Sequence, residues 1–259
     1  MYRVALLALL LLNLGLTACA ALPNGAKPAP RDRFERFNRS IYKFNTVLDH
    51  AVLRPVARAY VKALPRPVRT SINNFTTNLA YPTTVANDFF QGKIADGVSD
   101  AARIVVNTTI GIGGLFDPAS HMGLDRHTQD FGLTLGRWGV PSGPFLELPV
   151  FGPSTVRDTV GLGPDYLLTY EIVSRNLITN NWVSGGLFVV SQIDRRSQLL
   201  DLDKVLDSAY DPYAFQRNAY LQRRDYLLHG DESPEQMFPD ADTDDNKGKD
   251  KPAPSDAPK

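Results

Sequence analysis

The side chains of this chain that could perform covalent chemistry are few, and their spacing matches no catalytic arrangement. Gly152-Pro153-Ser154 begins like the Gly-x-Ser-x-Gly turn that exposes a hydrolase nucleophile, but Val156 stands where the second glycine belongs. The histidines show no metalloprotease spacing; they are His50, His121, His127 and His229. A single cysteine excludes multi-cysteine zinc and iron–sulfur sites. We therefore expect no metal, no cofactor and no enzymatic activity.

Phosphate-binding glycine loops are also incomplete. Gly111-Ile112-Gly113-Gly114 has Phe116 where a dinucleotide-binding loop needs its third glycine. Gln91-Gly92-Lys93 lacks the earlier glycine and the following hydroxyl of a P-loop. No ATP-binding motif is therefore visible. His121 and His127 lie in a charged, loop-like stretch, which favours surface or hydrogen-bonding roles for both.

Cys19 is the one residue whose position predicts a specific modification. It follows Arg3 and an apolar run from Val4 to Leu16, which is a secretory signal too short to span a bilayer. Leu16-Thr17-Ala18-Cys19 resembles the bacterial lipoprotein box, in which the thiol is joined to diacylglycerol and the chain is cut before the cysteine. The alternative is an ordinary signal peptide, or a free buried thiol. Ala20, rather than aspartate, after the cysteine favours sorting to the outer membrane.

Most of the rest of the chain has the apolar spacing of helices. Phe34, Phe37, Ile41, Phe44 and Leu48 recur at steps of three and four and predict an amphipathic helix. Further helices are expected between Pro55 and Pro65, at 87–91, 94–106, 164–178, 187–206 and 212–228. The last has Asp211 as N-cap, Pro212 at its first position and Gly230 beyond its end.

The segment from Gly111 to Gly163 is different, because it is both irregular and apolar. It holds eleven of the nineteen glycines and five prolines, so long helices are not expected there. Between Phe131 and Val156 only Arg137 and Glu147 are charged. Such backbone either packs inside the protein or forms a wall beside a membrane-facing cavity, where water or protein satisfies its polar groups. Both alternatives remain open.

Composition and charge define the domain organisation. The 259 residues carry 28 basic and 28 acidic side chains, with 43% apolar residues, which is typical of a folded domain and not of a nucleic-acid binder. Residues 231–259 hold nine acids and four lysines and too few apolar residues to fold alone. We expect a signal peptide at 1–18, the lipidated cysteine and a tether at 19–30, one helical domain at 31–230 and a disordered acidic tail at 231–259.

Several motifs lie along this domain. They include Phe34-Glu35-Arg36-Phe37-Asn38-Arg39, Tyr42-Lys43-Phe44-Asn45, Asn107-Thr108-Thr109-Ile110-Gly111-Ile112-Gly113-Gly114, Asp130-Phe131-Gly132-Leu133-Thr134-Leu135-Gly136, Gly152-Pro153-Ser154 and Arg157-Asp158. Together they resemble the motifs of one family, the VacJ/MlaA outer-membrane lipoproteins, over about residues 31 to 228. The family often has Asp-Pro where this chain has Asp32-Arg33, and tyrosine in place of Phe145.

The resemblance implies an all-α, single ring-shaped domain with an irregular Gly/Pro-rich channel segment. It implies an amphipathic channel that passes mislocalised outer-leaflet phospholipid to a soluble periplasmic phospholipid carrier. It also implies lipid anchoring to the outer membrane on its periplasmic side and association with a trimeric porin. Two rival classes stay open. One is a non-transporting structural lipoprotein or porin-associated scaffold, and the other is a lipid hydrolase acting through Ser154 or a histidine.

We expect the lipid path to involve aromatic residues of the first helix, their polar neighbours, and charged residues near or below the channel. For each of them the alternative is that it stabilises the fold. The candidates are Phe37, Asn38, Arg39, Ile41, Phe44, Asn45, Arg137, Trp138, Arg157 and Asp158.

Overall fold

The computed structural model of the protein describes residues 32–175, 178 and 180–230. Helices make up most of this part of the chain, as predicted, and two short antiparallel strands form a hairpin. The helices are α1 (Glu35–Leu48), α2 (Arg54–Ala63), α3 (Arg66–Phe90), α4 (Ile94–Thr109), α5 (Pro118–His121), α6 (Phe131–Arg137), α7 (Val156–Thr169), α8 (Asn181–Gln198), α9 (Asp203–Ser208) and α10 (Pro212–His229), and the strands are β1 (Phe145–Leu148) and β2 (Gly152–Thr155). Asp49–Leu53 and Tyr170–Arg175 are π-helical, and Leu200–Leu202 is a 3-10 turn.

The interior of the described part is polar, and much of its surface is apolar. Eighteen polar or charged side chains are buried against eight apolar ones, while thirty-seven large apolar side chains are exposed. The small apolar core consists of Phe145, Tyr213 and Leu221, with Tyr42 and Tyr220 packed against it. Exposed apolar surface on this scale is typical of proteins that contact a membrane or another protein. The fold must therefore be held together largely by buried hydrogen bonds and ion pairs.

Helix α1 shows most directly that polar side chains are buried and apolar ones are exposed. The predicted helix is confirmed, but its buried side chains are Glu35 and Asn38, whereas Phe34, Phe37 and Phe44 are 46%, 43% and 47% exposed. The periodic apolar stripe thus lies on the outer face. A stripe of this kind predicts that a helix has two faces, but it does not say which of them meets the rest of the protein.

Helix α3 is far longer than the sequence predicts. It runs for 25 residues and contains Pro82, whereas the spacing predicted helix only at 87–91. Its asparagines find tertiary partners: Asn73 donates to Asp194 on α8, and Asn87 donates to Asp165 on α7, at 3.0 and 2.9 Å. Asparagine has a low intrinsic helix propensity, and these distant carboxylates override it.

The predictions for the other helices need three corrections. Helix α7 starts inside the Gly/Pro-rich segment, at Val156, because the Thr155 hydroxyl caps it by accepting from the Asp158 amide. Helix α8 starts at Asn181, capped by the Asn180 side chain, and not at 187. Ile178, the predicted end of one helix, is not helical. The predicted last helix is confirmed as α10, and the Asp211 side chain accepts from the Ala214 amide.

The hairpin of β1 and β2 lies along α1, where two asparagines of the helix bind its backbone. Asn38 donates to the Phe145 carbonyl and accepts from the Glu147 amide, at 3.0 and 2.9 Å. Asn45, two helical turns further on, donates to the Leu148 carbonyl and accepts from the Val150 amide, at 2.9 and 2.8 Å. The two side-chain amides therefore take the place of a third strand.

No helix in residues 32–175, 178 and 180–230 has both the length and the apolarity needed to cross a bilayer.

Replacing Asn38 with alanine should destabilise the protein strongly. The change leaves the Phe145 carbonyl and the Glu147 amide buried without partners, and it removes a 2.9 Å bond to Asp32. We expect a loss of about 2–4 kcal/mol in the free energy of unfolding, measured by chemical denaturation. Lys43→Ala on the same helix is the control, because Lys43 is exposed. Equal stability of the two variants would contradict the proposed role of the amide.

Candidate functional site

A cavity of about 800 Å³ lies between the start of α3 and the chain that follows α4. Thr70, Ser71 and Asn74 of α3 line one side, and Ile110, Leu115 and Phe116 line the other. Its volume falls within the range of roughly 300–1,000 Å³ that is usual for small-molecule sites. A cavity with one polar and one apolar wall suits an amphiphilic ligand.

The polar wall follows from the spacing of residues on α3. Arg66, Thr70 and Asn74 are four residues apart, so they form one line along the helix. At one end of this line the Asn74 side chain donates to the Leu115 carbonyl across the cavity, at 3.4 Å. Arg66 lies at the other end, about 12 Å away at a rise of 1.5 Å per residue. The polar wall thus ends at the Asn74–Leu115 contact on one side and at the positively charged Arg66 on the other.

The apolar wall is a tight turn that needs its glycines. A side chain at Gly111 would place its Cβ 2.4 Å from the Asn107 carbonyl oxygen and 2.5 Å from that of Phe116. Gly114 has a φ of 89° and leaves no room beside Asn78. The glycine run that fails as a nucleotide-binding motif therefore serves to fold Leu115 and Phe116 back toward α3.

Asp117 fixes the end of this turn to α4. Arg103, which is buried, donates to both of its carboxylate oxygens at 3.0 Å, and Asn107 donates to Oδ1 at 2.9 Å. Burial by itself would raise the pKa of Asp117. Hydrogen bonds from Ser120 and Asn107, together with the charge of Arg103, lower that pKa to about 2. The wall is thus anchored by a carboxylate that stays ionised.

The Gly/Pro-rich segment lines the cavity at its start and is buried in its middle. Leu115 and Phe116 belong to the cavity wall and are 39% and 56% exposed. Leu133 and Phe145, in contrast, are buried in the protein. The buried alternative therefore holds in the middle of the segment, and a membrane-facing orientation of the cavity wall stays a prediction.

The polar lipid-path candidates of α1 are occupied by contacts within the protein. Asn38 and Asn45 bind the hairpin, as described above. The Arg39 guanidinium donates to Glu35 at 2.8 Å and to Asp211 at 2.6 and 3.1 Å, and it lies 4.4 Å from the centre of the Tyr213 ring. These contacts join α1 to α10. Participation of the three residues in a lipid path stays a prediction.

Arg157 and Asp158 form part of a second buried network at the start of α7. Asp158 accepts from Arg224 at 2.7 Å and from Tyr220 at 2.8 Å, and both partners belong to α10. Burial would raise the pKa of Asp158, but the charge of Arg224 and the Tyr220 hydrogen bond lower it. Arg157 donates to Asp158 and to the Val140 carbonyl, each at 3.3 Å. The pair thus connects α7, α10 and the Gly/Pro-rich segment.

The remaining candidates lie toward the surface. Phe37, Phe44 and Arg137 are exposed, and Ile41 is half-buried. Trp138 donates from Nε1 to the Phe90 carbonyl at 2.9 Å. None of the ten candidates lines the cavity described above. Their role in lipid passage remains a prediction.

A buried acidic pair between α3 and α4 was not anticipated from the sequence. Asp88 and Asp100 are fully buried, and among the described residues no donor satisfies either oxygen of Asp88. Asp100 accepts from Tyr81 at 2.9 Å and lies 3.1 Å from Nδ1 of His127, which confirms a hydrogen-bonding role for that histidine. Burial, then the hydrogen bond and negative charge of Asp100, raise the pKa of Asp88 to about 7. A protonated Asp88 donates to Asp100 and supplies the missing bond.

The described residues contain no group of three or more His, Cys, Asp or Glu side chains that could hold a metal ion.

The cavity residues of α3 are not predicted by the sequence patterns. Their hydroxyl and amide side chains occur in a stretch without apolar periodicity, which predicts neither the helix nor its polar line. The four-residue spacing of Arg66, Thr70 and Asn74 was the available signal. This spacing places the three side chains in one line only if the stretch is a continuous helix.

Replacing Asp88 with asparagine should change how stability depends on pH. The folded protein holds a proton on Asp88 up to about pH 7, whereas the unfolded chain releases it near the ordinary pKa of 3.8. Between these two values, rising pH therefore lowers the free energy of unfolding of the wild type. Asparagine keeps a donor for Asp100 and does not ionise. The variant should gain in melting temperature relative to the wild type on going from pH 5 to pH 8.

The control for this measurement is Asp125→Asn, since Asp125 is exposed. Its melting temperature should follow that of the wild type at both pH values. A constant difference between Asp88→Asn and the wild type across this range would contradict the shared-proton interpretation.

Comparison with known proteins gives one consistent result. The family model described as MlaA lipoprotein matches residues 30–227. The chain is 40% identical to the intermembrane phospholipid transport system lipoprotein MlaA of Shigella flexneri, and 39% identical to that of Escherichia coli K12. Each match spans 215 residues and covers 81% of this chain and 83% of the relative.

A solved structure is also similar. It is described as the structural basis for maintenance of bacterial outer membrane lipid asymmetry. The two share 41% sequence identity with a TM-score of 0.67, over 76% of this chain and 98% of the other.

Proposed function

The chain belongs to the MlaA lipoprotein family, and from this premise we propose that it acts in intermembrane phospholipid transport and maintains the lipid asymmetry of the outer membrane. In this proposal it takes phospholipid that has reached the outer leaflet and passes it through an amphipathic channel to a soluble periplasmic carrier. The channel lies in a single ring-shaped domain over residues 31–230, between the tether and the acidic tail.

The observation that carries this proposal is the cavity between α3 and the turn after α4. Its Thr70, Ser71 and Asn74 side can meet a polar head group, and its Ile110, Leu115 and Phe116 side can meet acyl chains. Each methylene that leaves a bilayer for water costs about 0.8 kcal/mol. An apolar wall reduces this cost, and a polar wall avoids stripping water from the head group without replacement.

Exposed apolar surface supports residence at a membrane. Ile112, Val150 and Phe151, all in the Gly/Pro-rich segment, are 64%, 63% and 71% exposed. Together with the outward aromatic stripe of α1, they form surface that water solvates poorly. In the proposal this surface lies in the hydrocarbon of the inner leaflet of the outer membrane, with the protein on the periplasmic side.

We further propose that Cys19 is acylated after removal of residues 1–18. Both lie outside the described residues. Three acyl chains on the mature terminus would anchor the protein firmly, because a single chain gives only marginal binding.

Two partners complete the proposal. A trimeric porin would bind the protein and cover apolar surface that lipid does not, such as Trp182, which is 90% exposed at the start of α8. A soluble carrier would receive the phospholipid on the periplasmic side. The acidic tail at 231–259, which lies outside the described residues, has a net charge of −5 and would attract a basic carrier surface.

The hydrolase alternative finds little support at Ser154. This side chain is buried, and its hydroxyl lies 2.9 Å from that of Thr159 and 3.2 Å from the Thr155 carbonyl oxygen. A nucleophile needs access to substrate and a base within hydrogen-bond reach. We propose that the protein transports lipid without catalysing its hydrolysis.

Blocking the cavity should abolish transport and leave the fold intact. Thr70→Trp places an indole in the cavity from an exposed position on α3. In a strain whose own gene is deleted, this variant should leave phospholipid in the outer leaflet as high as in the deletion itself. The measurement is labelling of surface-exposed phospholipid, with protein level checked by immunoblot. Lys62→Trp, exposed on α2 and outside the cavity lining, should restore asymmetry as the wild type does.

Normal asymmetry in the Thr70→Trp strain would exclude this cavity as the lipid path. Unchanged surface phospholipid in the deletion strain, with defects in porin assembly or envelope integrity, would favour the scaffold alternative.

Cys19→Ala should separate anchoring from folding. The described domain begins at Asp32, so this change leaves every contact reported above in place. We expect the variant to carry no palmitate, to be missing from the outer membrane and not to restore asymmetry. Cell fractionation and metabolic labelling with palmitate provide the measurements. Membrane-bound, palmitate-labelled Cys19→Ala protein would contradict the proposed lipid attachment.

A further inference from the structure

We propose that the cavity selects anionic phospholipid head groups, with Arg66 binding the phosphate and His121 assisting it. This inference rests on the proposed function, because it names the lipid class that the cavity accepts. It is carried by the charges that line the cavity and by the way each is already paired. Three of the lining side chains can be charged, namely Arg66, Asp117 and His121.

Asp117 is fully engaged by the protein. Its two oxygens accept from Arg103, Asn107 and Ser120, and Arg126 adds a further bond to Oδ2 at 3.2 Å. Two arginines thus lie against one carboxylate. This carboxylate has neither free lone pairs nor uncompensated negative charge to offer a ligand.

Arg66 is in the opposite situation. Within the part of the chain that the structure describes, no carboxylate lies within 4.0 Å of its guanidinium, although most arginines named above are paired. A guanidinium presents a planar set of donors that matches two oxygens of a phosphate. Arg66 therefore supplies the lining with positive charge that the protein itself leaves unused.

The position of Arg66 suits a head group rather than a free anion. It lies at the opposite end of the polar line of α3 from Asn74, whereas Ile110, Leu115 and Phe116 form the facing wall. A ligand that places phosphate on Arg66 and lies along the cavity brings its acyl chains against these three apolar side chains. Inorganic phosphate would leave that wall in contact with water.

His121 adds a second nitrogen donor from the facing side. It ends α5 and lines the same cavity. It is exposed, and among the described residues its ring has no ion pair with a carboxylate. Arg66 and His121 can thus approach one phosphate from α3 and α5.

The charges of the lining also explain the proposed selectivity between anionic and zwitterionic head groups. A zwitterionic head group carries an ammonium, which the positive charge of Arg66 repels. This ammonium also needs a free carboxylate or carbonyl acceptor. The carboxylate in the lining, Asp117, is taken by its own arginines. A phosphatidylglycerol head group has no ammonium, and its hydroxyls can bond with Thr70 and Ser71. The lining therefore favours phosphatidylglycerol over phosphatidylethanolamine.

The test uses the full-length lipidated protein, purified from its own membrane in detergent, with bound phospholipids quantified by mass spectrometry. In the wild type, the ratio of bound phosphatidylglycerol to phosphatidylethanolamine should exceed that of the membrane about threefold. Arg66→Gln should reduce this enrichment to the ratio of the membrane. Arg58→Gln is the matched control, because Arg58 is exposed on α2 and absent from the lining.

The outcomes separate this inference from the proposed function. Bound phospholipid without enrichment in the wild type, or enrichment that survives in Arg66→Gln, overturns the headgroup site and leaves transport in place. Absence of bound phospholipid from the wild type overturns the cavity as a lipid site altogether. The Thr70→Trp variant distinguishes lipid in the cavity from lipid bound around the protein. Enrichment that arises in the cavity should disappear in this variant, because the indole fills the cavity.

A final arm distinguishes the source of the phosphate. Inorganic phosphate is titrated into the purified wild type and followed by calorimetry. Saturable phosphate binding that depends on Arg66, together with no lipid enrichment, would assign the site to free phosphate and overturn the proposal. Weak or absent phosphate binding with lipid enrichment is the expected result, because the apolar wall contributes only when acyl chains are present.

Discussion

The need to satisfy buried charge governs this structure more than the burial of apolar surface does. Carboxylates on several helices, on β1 and just before α1 are withdrawn from water, and nearly all accept hydrogen bonds from arginine, tyrosine or amide donors in distant parts of the chain. An unpaired charge in such an interior would cost several kcal/mol, so each pairing restricts where two helices can lie relative to each other. The principal carboxylates are Asp32, Glu147, Asp158, Asp194 and Asp203.

This polar interior makes the apolar exterior possible. A protein held together by hydrogen bonds and ion pairs can leave its phenylalanines and valines outside, where hydrocarbon or a partner protein contacts them. The Gly/Pro-rich segment is also held by polar contacts within the protein. Its backbone is irregular, but Asn38 and Asn45 bind the hairpin and Asp117 anchors the cavity turn. The polar groups of this segment are thus satisfied from within the protein.

The sequence predicted the helical class, α1, α10 and the unusual texture of the Gly/Pro-rich segment, because each depends on local spacing or capping. It did not predict the length of α3 or the cavity beside it. The length of α3 depends on carboxylates about 80 to 120 residues away, namely Asp194 bound by Asn73 and Asp165 bound by Asn87. The cavity depends on the contact of Asn74 with the Leu115 carbonyl, 41 residues further along the chain. Asn38 is among the candidate residues, but its partners in β1 lie 107 and 109 residues away and meet it only after folding. Local patterns cannot reveal donors and acceptors that meet only after folding.

One contact ties the two ends of the described domain together. Asp32 accepts from Tyr213 at 2.6 Å and from Arg217 at 2.8 Å, across sequence separations of 181 and 185 residues. Contacts of such long range must await the closure of a large loop, and chains dominated by them fold slowly. A chain synthesised from its amino terminus cannot make these bonds until α10 has followed. The first and last parts of the described domain are therefore joined only when nearly all of the helices between them already exist.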